Sequence, residues 1–325
     1  MRDLMQRSGG SHGGSRDMSV RRIAYLGPDG SFASEAARRA SHKPASLQPM
    51  PTVVDVVEAV RTGACDWGVV PMENSVEGSV NVTLDELAFG DAGVYIRSEI
   101  TMPVTMNLLG GADADLDDII VVRSHAHALA QARGWLAANM PNARQEATTS
   151  TAEAARQVGQ DRTAAAIGTT AAAGRFGLAI VAADIGDHMD TATRFVVLAP
   201  RYAVATGSDK TSMVVFFGHD RPGQLLQVLN EFAMRGINLT KIESRPTKKQ
   251  LGEYCIFIDC IGHVSEPRVG EALRGVHRHV AELRVLGSYP RTVGHTDPPS
   301  STDSTVAYAE SDDWYAGILL HADGG

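Results

Sequence analysis

"RIAYLGPDGSFASEAARRA" (22–40) opens as a short apolar run, breaks at the turn "PDGS" and resumes with alanines at helical spacing. The period changes from that of a strand to that of a helix, and Ser31 stands where a cap belongs, so the stretch reads as a strand–turn–helix unit. The pattern recurs along the chain. "VVDVVEAVRTG" (53–63) reads as a helix closed by Gly63, "CDWGVVPM" (65–72) as a buried strand and "VNVTLDELAF" (80–89) as a helix. "GVYIRSEITMPVTMNLLG" (93–110) reads as long extended chain entering a second lobe, about 102–178. There "DIIVVRS" (118–124), the helix "HALAQARGWLAANM" (127–140), "TSTAEAARQVGQ" (149–160), "TAAAIGTTAAAGRFG" (163–177) and "LAIVAADI" (178–185) continue the alternation. Such alternation predicts α/β lobes, with sheets between helices and a ligand site at the carboxyl ends of strands.

After "SDK" (208–210) the order of elements changes. "TSMVVFFG" (211–218) is a strand, and "RPGQLLQVLNEFAMRG" (221–236) a helix with Pro222 in its first turn and Gly236 as its stop. "INLTKIESRP" and "GEYCIFIDCIGH" read as two strands around a polar turn, and a last helix and strand complete βαββαβ, a ferredoxin-like unit. Strand alternation sends Cys255 and Cys260 to opposite faces.

The 325 residues, 43% of them hydrophobic, are enough for two compact domains with tails. A net charge of −8 argues against a surface made for nucleic acid. No apolar run is long enough for a membrane span, and residues 1–19 lack the apolar core of a signal peptide, so the expected location is cytoplasmic. Three cysteines without a C-x-x-C pair suit a reducing compartment. The expected organisation is a disordered lead over 1–19, a two-lobed unit over 20–205, a smaller domain over 209–290 and a disordered tail over 291–325.

Four polar clusters are candidates for chemistry. "GPDGSF" (27–32) lacks phosphate-loop spacing; it is either a plain turn into a helix or a helix start that receives a carboxylate. In "MENSVEGS" (72–79), Glu73, Asn74 and Ser75 follow a buried strand directly, which favours a site over a simple cap. "RSHAHALAQ" (123–131) holds His125 and His127, but no neighbouring carboxylate or cysteine completes a metal set, so no metal is expected. Ser124 and Gln131 are the better ligand-binding candidates. "DTATRF" (190–195) sets Thr193 and Arg194 directly ahead of an apolar run.

"YLGPDGSF", "PMENSVEGSV", "SHAHALAQ", "TRF" and "ESRP" occur in an order and spacing that closely resembles the prephenate dehydratase family, over roughly residues 20–290. The resemblance implies a catalytic part like a two-lobed periplasmic binding protein, followed by an ACT domain that binds phenylalanine for feedback inhibition. It also implies catalytic roles for Thr193, Arg194 and Phe195, with the threonine as key residue, and substrate binding through Glu73, Asn74, Ser75, Ser124 and Gln131. Phenylalanine is expected between paired ACT domains at Pro222, Gly223, Gln224, Leu225 and Leu226 and at Glu243, Ser244, Arg245 and Pro246, in a homodimer or homotetramer. Three places depart from the family: Ala126 and His127 stand where it usually has proline and glutamine, "DHMDTA" replaces an asparagine-rich run, and "GQLL" (223–226) replaces Gly-Ala-Leu-Val.

The implied reaction, loss of carbon dioxide and hydroxide from prephenate, creates an aromatic ring and needs no cofactor. On this reading Thr193 directs a hydrogen bond at the departing hydroxide and Arg194 holds a carboxylate. Helix starts after Gly30 or Gly78 are candidates for the other carboxylate. An arogenate dehydratase of the same fold, or an aromatic amino-acid sensor without turnover, are the alternatives.

Overall fold

The computed structural model describes residues 20–292 and 304–322, apart from 42, 77, 92, 160, 188–190, 219–220 and 249–251. The expected lead over 1–19, and His188 and Asp190 within the departing run, lie outside the described residues.

The first lobe begins β1 (Arg21–Leu26), α1 (Phe32–Arg39), β2 (Ala45–Met50), α2 (Val53–Arg61), β3 (Trp67–Asn74), β4 (Gly78–Ser79), α3 (Asn81–Phe89) and β5 (Tyr95–Pro103). Ser31 caps α1 by accepting from the Ser34 amide, and Thr52 and Asp55 form a reciprocal capping box on α2. The second lobe follows with β6 (Asn107–Gly110), β7 (Val121–His125), α4 (Ala126–Gln131), α5 (Arg133–Asn139), β8 (Arg144–Thr148), α6 (Thr151–Val158), β9 (Ala164–Gly168), α7 (Thr170–Phe176) and β10 (Ala179–Ala182). β10 lies in the second lobe's sheet, so this lobe runs past the expected 178. The chain then returns through β11 (Ala192–Ala199).

Apart from the two-residue β4, two strands were not legible. β2 and β8 are the edge strands of their sheets, each paired in parallel on one side only. An edge strand needs no continuous apolar run, and Pro49 in β2 further masks the signal. The helix expected over 127–140 is two helices. Asp187 accepts from the Gly134 and Trp135 amides at 2.8 and 3.0 Å and so starts α5 afresh, which only a residue without Cβ at Gly134 allows so closely.

The last domain is β12 (Asp209–Phe216), α8 (Gln224–Ala233), β13 (Leu239–Pro246), β14 (Tyr254–Ile261), α9 (Pro267–His279) and β15 (Glu282–Pro290), the βαββαβ order. One face of its sheet carries Met213, Val215, Ile258 and Cys260 against α8 and α9. The opposite face packs Val214, Cys255, Phe257, Leu286 and Tyr289 into the core of the first lobe, with Val56, Leu84 and Ile96. Each such side chain contributes about 1.5–3 kcal/mol over leaving it exposed. The two sheets join into one of ten strands where β15 meets β5 at Gly287 and Ile96. A Cβ at Gly287 would lie 2.3 Å from the Ile96 carbonyl, so glycine is what permits the junction.

The tail differs from the expectation of disorder over 291–325: Thr305–Ala322 form a helix, α10, which lies against α9. The prolines end before it, Ser304 accepts from the Ala307 amide at its start, and Ala307, Ala309, Glu310, Ala316, Leu319 and Leu320 favour a helix.

Candidate active site

Two strand connections cross between the lobes, and the Val104 amide donates to the Thr191 carbonyl at 2.7 Å where they run side by side. Beside this crossing lies a cleft of about 830 Å³. Carboxyl ends of β1, β2, β3, β7 and β8 converge on it, bringing Gly27, Met50, Asn74, His125 and Thr149 together, and Thr193 enters from the start of β11. Arg175 of α7 pairs with Asp29, tying the second lobe to the turn after β1.

Thr193 and Asn74 are cross-strand partners. The Asn74 amide Nδ2 donates to Thr193 Oγ1 at 3.1 Å. An oxygen that accepts from one side keeps its own proton for the other, so the hydroxyl can donate into the cleft. Ser75 supports the pair from outside: its Oγ accepts from the Ala192 amide at 2.9 Å and holds the start of β11. It does not line the cleft.

Besides Ser75, four of the residues expected at the site stand away from the cleft. Arg194 does not reach the cleft, because successive strand residues face opposite ways and Thr193 takes the cleft side. Its guanidinium instead meets Glu99 at 2.8 Å, Asp259 at 3.1 Å and the Tyr289 hydroxyl at 2.7 Å. Burial disfavours this charge, yet Tyr289, Asp259 and Glu99 more than compensate and raise its pKa. Phe195 returns to the cleft side of the sheet but is buried beneath α1 with Ile23, Tyr25 and Met102, where it supports the strand. Ser124 is fully buried, and its Oγ donates to the Ile167 carbonyl at 2.8 Å, holding β7 to β9 beneath the cleft. Glu73 also points away, 3.5 Å from Arg194 and 3.6 Å from Lys241. Asn74, Gln131 and Thr193 do line the cleft.

Sequence reasoning missed the run Thr149, Ser150 and Thr151, which lines the cleft at the start of α6. Ser150 caps that helix by accepting from the Glu153 amide at 3.0 Å, and the row of three hydroxyls before an amphipathic helix was the available signal. His125 and His127, weighed only as metal ligands, line the cleft with their rings stacked 5.0 Å apart. Among the described lining residues there is no Arg or Lys. Gly30, a candidate anion holder, spends its amide on Asp29 and Ser34.

In the smaller domain, Gly223 adopts φ +83° and starts α8, leaving Leu225 and Leu226 exposed. Along β13, Lys241, Glu243 and Arg245 turn toward the first lobe. Glu243 accepts from Ser79 Oγ at 2.5 Å and pairs with Lys241 at 2.9 Å, and Arg245 pairs with Asp85 at 3.2 Å. No group of side chains able to hold a metal ion occurs among the described residues, and no described helix is long and apolar enough to cross a membrane.

The family model described as prephenate dehydratase matches residues 23–203, and that of the ACT domain residues 212–278. Over 280 residues, 83% of this chain and 87% of the relative, the sequence is 42% identical to a prephenate dehydratase of Mycobacterium bovis. A solved prephenate dehydratase from Arthrobacter aurescens, in complex with L-Phe, shares 38% identity and superposes with a TM-score of 0.84 over 92% of this chain and 99% of that one. A solved quorum-quenching acylase, GqqA, shares 26% identity and superposes with a TM-score of 0.74 over 84% of this chain and 98% of that one.

Proposed function

Since the chain belongs to the prephenate dehydratase family and carries an ACT domain, we propose that its interlobe cleft performs that decarboxylative dehydration with Thr193 as the catalytic hydroxyl. The protein is then a carbon–oxygen lyase, with its catalytic unit over 20–205 and its regulatory unit over 209–290. The observation that carries the reading is the Asn74–Thr193 hydrogen bond at the mouth of β3. It presents a hydroxyl proton to the substrate in a cleft whose lining also includes apolar side chains such as Leu26, Phe32, Met50 and Met106.

As the carboxylate leaves prephenate as carbon dioxide, its electron pair moves into the ring and expels the hydroxide, which takes up a proton and departs as water. Thr193 stabilises the developing charge on that oxygen. With Arg194 turned away, the substrate's carboxylates go to uncharged or titratable donors: the first amides of α6, the hydroxyls of Thr149 and Thr151, and His125 and His127. Glu153 is the one carboxylate among the described lining residues, and its oxygens are taken up by Arg156 and Gln157. Those hydrogen bonds hold its pKa at about 2. Among the described lining residues no other carboxylate is present to meet the ammonium group of arogenate, which favours prephenate as substrate.

Asn74→Asp tests the hydrogen-bond direction. A carboxylate accepts the threonine proton instead of donating to its oxygen, so kcat falls at least about tenfold, which corresponds to about 1.4 kcal/mol, while KM changes less. A variant with wild-type kcat contradicts the arrangement.

Phenylalanine is the effector we assign to residues 222–226 and 243–246, by analogy with the L-Phe complex of the Arthrobacter protein. The exposed apolar side chains of Leu225, Leu226 and Ile242 flank these segments and suit a second copy of the chain, in a dimer or tetramer. A cytoplasmic location accords with three buried, unpaired cysteines. The test is phenylpyruvate formation from prephenate, with and without phenylalanine and with arogenate in parallel. Turnover of prephenate suppressed by phenylalanine is the expected result; no turnover of either substrate by folded protein overturns the catalytic reading.

A further inference from the structure

We propose that Arg194 is a positioning residue that fastens the Thr193 end of β11 to the ACT sheet, making the ACT domain part of the catalytic apparatus; this rests on Thr193 being the catalytic hydroxyl. One peptide bond separates the two side chains, and they face opposite sides of β11. The strand's register on β3 shifts between Arg194 and Phe195. An irregularity of this kind bends a strand and re-aims the side chain beside it, so what holds the chain at that point decides where Thr193 points.

The holding groups come from both domains. Glu99 belongs to β5 of the first lobe, whereas Asp259 and Tyr289 belong to β14 and β15 of the ACT sheet. Tyr289 is fully buried, and its hydroxyl also shares a 2.6 Å hydrogen bond with Ser212, which in turn donates to Asp259 at 2.6 Å. Lys210 of β12 completes the cluster, 3.1 Å from Glu99. Arg194 and Lys210, cations from different domains, thus face Glu99 and Asp259, anions from different domains. A buried ion network adds little stability over well-packed apolar groups, but its directed contacts admit one geometry where apolar packing admits several.

Neither Tyr289 nor Asp259 reaches the cleft, so substrate binding and positioning are separable. Tyr289→Phe removes one hydroxyl and keeps the ring, and the expected result is a kcat for prephenate about tenfold lower with KM within about twofold of wild type. In a Thr193→Ala background the same change lowers kcat by less than about twofold, because the group it positions is gone. Asp259→Asn, which keeps shape and removes charge, gives the same pattern, and Tyr289→Phe decides if that variant does not fold. Thermal denaturation of each variant establishes that it is folded at the assay temperature. Folded Tyr289→Phe with wild-type kcat, or an equal loss with and without Thr193, overturns the proposal. Wild-type turnover by Thr193→Ala overturns instead the catalytic assignment on which it rests.

Discussion

Thr193→Ala lowers kcat for prephenate by about a hundredfold to a thousandfold, the usual cost of removing one preorganised donor from a developing oxyanion. The substitution deletes a hydroxyl and a methyl group at a half-buried position, so the fold survives it. Asn74 then loses the acceptor of its Nδ2, while its Oδ1 still accepts from the Val76 amide at 2.9 Å. KM changes little if, as proposed above, the substrate's carboxylates bind elsewhere in the cleft, at the start of α6 and at the paired histidines that line it. An interaction made in the transition state and absent from the ground state lowers kcat and kcat/KM together. Thr193→Ser keeps the donor and restores most of the rate. Stopped-flow or steady-state formation of phenylpyruvate by the two variants decides the matter, and an alanine variant with wild-type kcat removes Thr193 from the mechanism.

Arg194→Met has the largest expected effect on stability. Glu99 and Asp259 have side chains only 5% and 4% exposed, and Lys210 alone cannot compensate both. Stranding a buried charge costs about 3–5 kcal/mol, read as a lower midpoint in urea denaturation. The pH dependence follows from Glu99. Burial pushes its pKa up, but Arg194 and Lys210 outweigh that and hold it below the ordinary value of 4.5. The wild-type protein therefore has this contribution in full above the ordinary value and loses it as pH falls through the lowered one. In Arg194→Met the balance reverses, burial prevails and Glu99 takes up a proton more readily. The deficit relative to wild type is thus greatest near neutral pH and narrows in acid. A deficit independent of pH would mean that packing of the arginine stem, and not its charge, carries the effect.

Much of this architecture could be read from residue order. The alternation of strand and helix patterns marked two α/β lobes, and the βαββαβ succession marked the smaller domain, because those periods follow from how backbone geometry points side chains. Asn74 stood out because it follows a buried strand directly, whereas Thr193 stands ahead of one and took its expected role from the family resemblance. By strand alternation two adjacent residues of β11 cannot both face one cleft, so Thr193 in the site implies Arg194 out of it. Ser124 illustrates a different limit. A serine at a strand end suits a ligand or a neighbouring strand equally, and here the Ile167 carbonyl takes it.

Local order thus decided which segments become strands and helices and in what succession they lie, since turns, caps and apolar periods act over a few residues. Only the assembled molecule decided which charges meet. Arg194 finds Glu99 behind it in the chain and Asp259 and Tyr289 ahead of it because β5, β14 and β15 are brought alongside by sheet pairing. Electrostatic partners are chosen by distance and burial in space, and nothing in the residues around Arg194 records that a second domain stands behind it.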